Sequence, residues 1–168
     1  MSHPADGTEE ERAKTLAVIN ETFAKAVPHN AALGLQVIDF ARDAITIRLP
    51  FDPLWIGNPL TRVIHGGVVT ALIDATCGAS VFMAIFNPTP IATLDLRIDY
   101  LKPAVPDRAV YCRAQCYKLT KHVAFTRAVA YQESENDPVA SAAGAFMLST
   151  KGRSVVEHTM KNRKSNPP

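Results

Sequence analysis

The chain has 168 residues, 47% of them apolar and 20% charged, which fits one globular domain large enough to bury a core. Its 18 basic and 16 acidic side chains leave a net charge of +2, too even a balance for a nucleic-acid or membrane-surface protein. The same composition excludes global disorder, collagen-like repeats and a disulfide-dense miniprotein. Three cysteines, Cys77, Cys112 and Cys116, are odd in number and form no CxxC pair, so reduced thiols in a cytoplasmic protein are expected. Cys112 and Cys116 stand four apart in a strand-like run, poor geometry for zinc, and no metal site is expected.

The first fourteen residues are polar and acidic and lack the basic and apolar regions of a signal peptide. Thr8 and Glu11 have the spacing of a capping box. Leu16, Ile19, Phe23 and Val27 then recur at helical spacing until Pro28. This predicts an amphipathic helix over about 9–27, packed on the body of the domain. Leu33 to Phe40 and Ala44 to Leu49 read as two short strands, and in the second Ile45, Ile47 and Leu49 alternate with Thr46 and Arg48. Pro50, Pro53, Gly57 and Pro59 make 50–64 an irregular loop.

From Gly66 to Phe86 no breaker interrupts an almost wholly apolar run. A helix apolar nearly all round is buried, and Asp74 in its middle argues against a membrane span. Four strand-like runs follow, at 91–101, 109–119, 122–132 and 139–150. Their short connections predict an antiparallel meander. The basic, polar segment 151–168 is expected to be a disordered tail. The predicted fold is α+β: an N-terminal helical extension at 1–28, then one body at 29–150 with an antiparallel sheet around one long buried helix. Such a sheet leaves an edge to cover, so self-association is expected.

The chemistry concentrates between Arg62 and Asp74. His65-Gly66-Gly67 stands where loop becomes helix. The glycines leave backbone amides open, and a helix start presents unpaired donors and partial positive charge. These groups suit a carbonyl oxygen that becomes an oxyanion; equally, the glycines serve a tight turn. Asp74 among Leu72, Ile73 and Ala75 is a general base or nucleophile, or a structural carboxylate with a bonded partner. Eight residues of helix rise about 12 Å, so Gly66 and Asp74 of one chain cannot touch one carbonyl. If both act together, two subunits share each site.

The block His65 to Gly78, HGGVVTALIDATCG, resembles the hotdog-fold acyl-CoA thioesterases of the PaaI-like group. The run Thr93 to Ala104, TLDLRIDYLKPA, resembles that family's strand after the helix, and the order of elements from about 30 to 150 matches too. The resemblance implies hydrolysis of an acyl-CoA thioester to a free acid and coenzyme A at a composite dimer-interface site. It makes Gly66, with Gly67 nearby, the amide that polarises the carbonyl. It makes Asp74 the residue that activates water or attacks directly, His65 the motif histidine that shapes the turn, and Thr93 the hydroxyl that helps orient water. Period-two parity puts Thr93 on the face of Asp95, Arg97 and Asp99.

The family often has Asn-Pro six residues before the histidine and a glycine three before it. Here Asn58-Pro59 begins seven before, and Arg62 replaces the glycine; Asn58 remains a candidate to assist the carbonyl. Lys118, Lys121 and His122 cluster at a strand turn where the family carries basic residues near the nucleotide, with Arg62 a weaker candidate; the same cluster also reads as a solvated hairpin tip. Phe51, Leu54 and Trp55 cover the sheet or line an acyl pocket, and Tyr100 reads as core or interface. No cofactor beyond the substrate's own coenzyme A, no nucleic acid and no membrane is implied, and the expected assembly is a homodimer or homotetramer in the cytoplasm. The alternatives are a non-catalytic acyl-CoA-binding hotdog protein and a hotdog dehydratase or hydratase.

Overall fold

A computed structural model describes residues 3–87 and 89–148; the expected tail at 151–168 and the end of the fourth long strand lie outside the described residues. Helix α1 spans Glu9–Ala26. The Glu11 amide donates to the Thr8 hydroxyl, and the Thr8 amide donates to the Glu11 carboxylate, as the capping box requires. Leu16, Ile19 and Phe23 pack on the core. Pro28 opens a second helix, α2 (Pro28–Ala32), where the sequence suggested only a stop; a first-turn proline loses no helical hydrogen bond. Gly34 turns the chain in the left-handed region at φ 64°. Strand β1 (Gln36–Phe40) therefore begins later than the apolar run, with Leu33 and Leu35 buried in the turn.

The remaining elements are β2 (Ala44–Leu49), α3 (Gly66–Ile85), β3 (Ile91–Tyr100), β4 (Val110–Leu119), β5 (Val123–Tyr131) and β6 (Ala140–Leu148). Six strands form one antiparallel sheet in the order β1-β2-β4-β5-β6-β3. This corrects the expected meander, because β3 does not pair with β4. It pairs along its length with β6 at the far edge, and β4 inserts between β2 and β5. The connection at 101–109 is too long for a hairpin turn. It must cross from β3 to β4, three strand spacings or about 14 Å, and nine extended residues reach roughly 30 Å. Its path is tied down: the Leu101 and Lys102 amides donate to the Val139 carbonyl, and Val105 exchanges two hydrogen bonds with the Gln132 side chain.

Helix α3 packs on one face of this sheet, mainly against β2, β4 and β5. Leu72, Ile73, Cys77 and Val81 point into the core. They meet Ile45, Ile47, Cys112 and Phe146, with Ala114, Ala124 and Ala128 giving the helix close approach. By length and composition α3 alone among the described residues would suit a membrane span, yet 50% of its most apolar stretch is buried inside the domain. Its other face stays open and floors a groove. The whole is the hotdog arrangement.

The two sheet edges differ. At β1 the Asn20 side chain, from α1, accepts from the Val37 amide and donates to the Val37 carbonyl, so the helix blunts that edge. At β3 no further strand pairs with the outer edge among the described residues, and Leu94 is 51% exposed.

Candidate active site

The groove holds about 760 Å³. Its floor is the open face of α3, including Gly67, Thr70, Asp74 and Gly78; β3 supplies one bank with Ile91, Thr93 and Leu96. The other bank is the end of α1 and α2, with Phe23, Ala26, Val27 and Asn30. Asp74 is half-buried and accepts a hydrogen bond at Oδ1 from the Thr93 hydroxyl at 2.9 Å. The pairing of these two residues runs against the simple strand alternation. A β-bulge interrupts the register between Thr93, opposite Phe146, and Asp95, opposite Ala145. The extra residue, Leu94, shifts the parity. Thr93 thus shares the helix-facing side with Leu96, opposite Gly144, and Ile98, opposite Ala142, while Asp95, Arg97 and Asp99 face away. The expected face for Thr93 is corrected accordingly.

His65 is the N-cap of α3, and its Nδ1 accepts from the Gly67 amide at 2.9 Å. That bond puts the proton of a neutral ring on Nε2. It also occupies the Gly67 donor, whereas the Gly66 amide has no acceptor among the described residues. Of the two glycine amides, Gly66 alone is free for a ligand. A Cβ on Gly67 would stand 3.0 Å from His65 Nδ1, so a side chain there would push on the ring that caps the helix. The Gly66 carbonyl accepts from the Tyr100 hydroxyl at 2.7 Å and from the Thr70 hydroxyl at 3.1 Å. Sequence reasoning missed this clamp. The signal was the even spacing of Leu96, Ile98 and Tyr100 beyond the bulge, which carries Tyr100 to the helix-facing side.

Asn58 is committed to its own loop: its Oδ1 accepts from the Leu60 and Thr61 amides, and its carbonyl accepts from Arg62 N. The loop is closed by a bridge between Ile56 and Ile64. Arg62 adopts φ 57°, the left-handed conformation that favours glycine, and its guanidinium forms a bidentate pair with Asp107 at 3.0 Å on both contacts. Both groups are thus engaged locally. Lys118, Lys121 and His122 are exposed at the β4–β5 turn, at the sheet end where β3 begins. Phe51 and Trp55 pack on the core and lie outside the groove lining, while Leu54 is exposed. The His3 ring packs on Phe86, 5.0 Å between centroids.

All three cysteines are free and buried. Burial pushes the Cys77 thiol up to about 11, and it raises Cys112 and Cys116 as well. None has the lowered thiol pKa of a nucleophile.

A six-stranded antiparallel sheet around a central helix, with an acid in the groove and an HGG turn at the helix start, defines a class of thioester-handling hotdog protein. The comparisons are specific. The thioesterase superfamily profile matches residues 62–139. A crystal structure of a protein from Pseudomonas aeruginosa is 43% identical, with TM-score 0.70, covering 79% of this chain and 97% of that one. The medium/long-chain acyl-CoA thioesterase YigI of Escherichia coli is 24% identical over 148 residues, 80% of this chain and 94% of that protein. A structure of the phenylacetic acid degradation protein PaaI from Thermus thermophilus is similar in fold. It is 24% identical, with TM-score 0.63, covering 72% of this chain and 98% of that one. The chain belongs to the thioesterase superfamily.

Proposed function

We propose that the protein hydrolyses acyl-CoA thioesters, at two equivalent sites each completed by a second copy of the chain. The observation that carries this is the Asp74 carboxylate, held by Thr93 on the bank of an apolar groove. The name of the YigI relative supports the substrate class. Asp74 takes a proton from a water in the groove, and the water oxygen adds to the thioester carbonyl carbon. The oxyanion is met by the Gly66 amide of the other subunit, since its own lies about 12 Å along the same helix. The tetrahedral intermediate collapses by breaking the C–S bond. Asp74 returns the proton to the departing thiolate, and the carboxylic acid leaves. No metal or redox cofactor is needed for this balance.

The ten-residue β3 edge, unpaired among the described residues, supports a dimer joined strand to strand, because the opposite edge is already blunted. Lys118, Lys121 and His122 suit the phosphates of coenzyme A. Free thiols suit a reducing compartment, which we take to be the cytoplasm.

The test is thiol release from a panel of acyl-CoAs by wild type and Asp74→Asn, with the mass of each in solution. Hydrolysis by a dimeric wild type and a loss of orders of magnitude in a folded, dimeric variant supports the reading. Binding without turnover by either protein would make it an acyl-CoA-binding protein with a structural Asp74. Hydration or dehydration of an enoyl- or hydroxyacyl-CoA would move it to the hydratases.

A further inference from the structure

Thr22, His29 and Asn30 are polar residues of the groove lining with no role in this reaction, and of the three Asn30 is the one that is buried. Asn30, in α2, is 6% exposed, yet its carboxamide has no hydrogen-bond partner among the described residues. Its backbone carbonyl is engaged, accepting from the Leu35 amide at 3.1 Å. Buried amides are nearly always paired, since leaving one unpaired forfeits its hydration. Nor is this amide sealed in the core: among the described residues the sole side-chain polar atom that is both fully enclosed and unpartnered is Trp55 Nε1. Asn30 is one of the residues that line the groove.

The position is informative. Around α3, Asp74 and Thr70 lie toward the β3 bank, where they meet Thr93 and Tyr100. Ala75 is turned about 100° from Asp74, toward the α1–α2 bank. Asn30 stands on that second bank, beside Phe23 and Val27. Between the two polar points the floor is Ala71, Ala75 and Gly78, with no hydrogen-bonding side chain. A substrate whose carbonyl meets Asp74 therefore carries its acyl group across an apolar floor before it meets Asn30.

We propose that Asn30 is a specificity-determining residue, and that the preferred acyl group carries an oxygen substituent, a hydroxyl or a carbonyl, that its carboxamide hydrogen-bonds. This rests on the thioesterase reading and deepens it. A plain alkyl chain would leave the amide unpaired, and a site built to hydrogen-bond a substrate oxygen discriminates against the analogue that lacks it.

The experiment compares octanoyl-CoA with its 3-, 4-, 5- and 6-hydroxy and oxo counterparts, on wild type, Asn30→Leu and Asn30→Ala, reading kcat and KM separately. Wild type should favour at least one oxygenated ester by about tenfold or more in kcat/KM. Asn30→Leu, apolar and of similar size, should lose that preference while keeping or raising its activity on octanoyl-CoA. Two results overturn the proposal: a wild type with no preference for any oxygenated ester, or variants that lose all esters equally with kcat. The second would make Asn30 a partner of the reacting centre or of the fold. In parallel, titration calorimetry with the non-hydrolysable thioethers octyl-CoA and its hydroxyoctyl counterparts reads the same preference without turnover. Absent hydrolysis with tighter binding of a hydroxyoctyl thioether defeats the enzymatic reading and keeps the role of Asn30; equal binding, or none, overturns it.

Discussion

Replacing Thr93 by Val keeps a β-branched side chain in the strand and removes only the hydroxyl that donates to Asp74 Oδ1 at 2.9 Å. Strand propensity does not suffer, because valine suits a strand at least as well as threonine. Folding stability should therefore stay close to wild type. The carboxylate, however, loses the one side-chain donor that orients it among the described residues. Hydrogen bonds to charged groups contribute about 1.5–3 kcal/mol, so full dependence on this bond predicts a fall of roughly 10- to 150-fold in kcat/KM. The loss should appear mainly in kcat, because Thr93 acts through Asp74 and not by gripping the acyl group. Thr93→Ser, which restores a hydroxyl at Cβ, should recover most of it. The assay is continuous thiol release on the best ester of the panel, with thermal melts as the control. Unchanged kcat/KM in a folded Thr93→Val protein would refute the reasoning, and with it the bulge at Leu94 that turns Thr93 toward the helix. Damage from Ser beside an unharmed Val variant would show that methyl packing, and not the hydroxyl, is what matters.

Gly57→Ala should destabilise by about 1–3 kcal/mol in a melt, because the new Cβ would stand 2.8 Å from His65 Cα, which cannot yield without moving the cap of α3; a wild-type Tm would show that the loop adjusts freely. Arg62→Gly should match or exceed Arg62→Ala in denaturant stability, since both lose the Asp107 ion pair but only glycine relieves φ 57°; the reverse order would refute that. The thiols predict an alkaline loss of stability. Cys77 rises from 9.0 unfolded to about 11 folded, so above pH 9 the unfolded state holds fewer protons than the native state. Its contribution is complete below pH 9 and is lost between about 9 and 11, at about 1.4 kcal/mol per pH unit. Cys77→Ala should flatten that slope in denaturant titrations at pH 8.5 and 10.5, and native Cys77 should resist alkylation at pH 8.5; an unchanged slope or rapid labelling would contradict the burial.

The elements were legible because their signals are local. The Thr8–Glu11 cap, the apolar run after Gly66 and the alternation in β2 each depend on neighbours a few residues apart. Pairing order was not, since nothing within β3 says that it will leave β4 and join β6. The length of the connection at 101–109 was the available clue, and its two prolines make it look like a turn when it is a crossing. The face of Thr93 failed for a related reason. A bulge inserts one residue without a sequence mark, and every parity argument on its far side reverses.

The two asparagines make the sharper case. Asn58 drew attention because it lies near a motif, and the structure spends its oxygen on the Leu60 and Thr61 amides. Asn30 lies in an unremarkable Pro-His-Asn-Ala-Ala stretch with no motif beside it. What singles it out is burial without a partner, and that property exists only once α1, α2 and α3 have closed around it. A side chain that folding strips of water and leaves unpaired costs stability. Between Asp74 and Asn30 the groove floor is alanine and glycine, so a ligand lying there brings its own oxygen to this amide. Asn30 is therefore the position at which the choice of acyl group should be altered first.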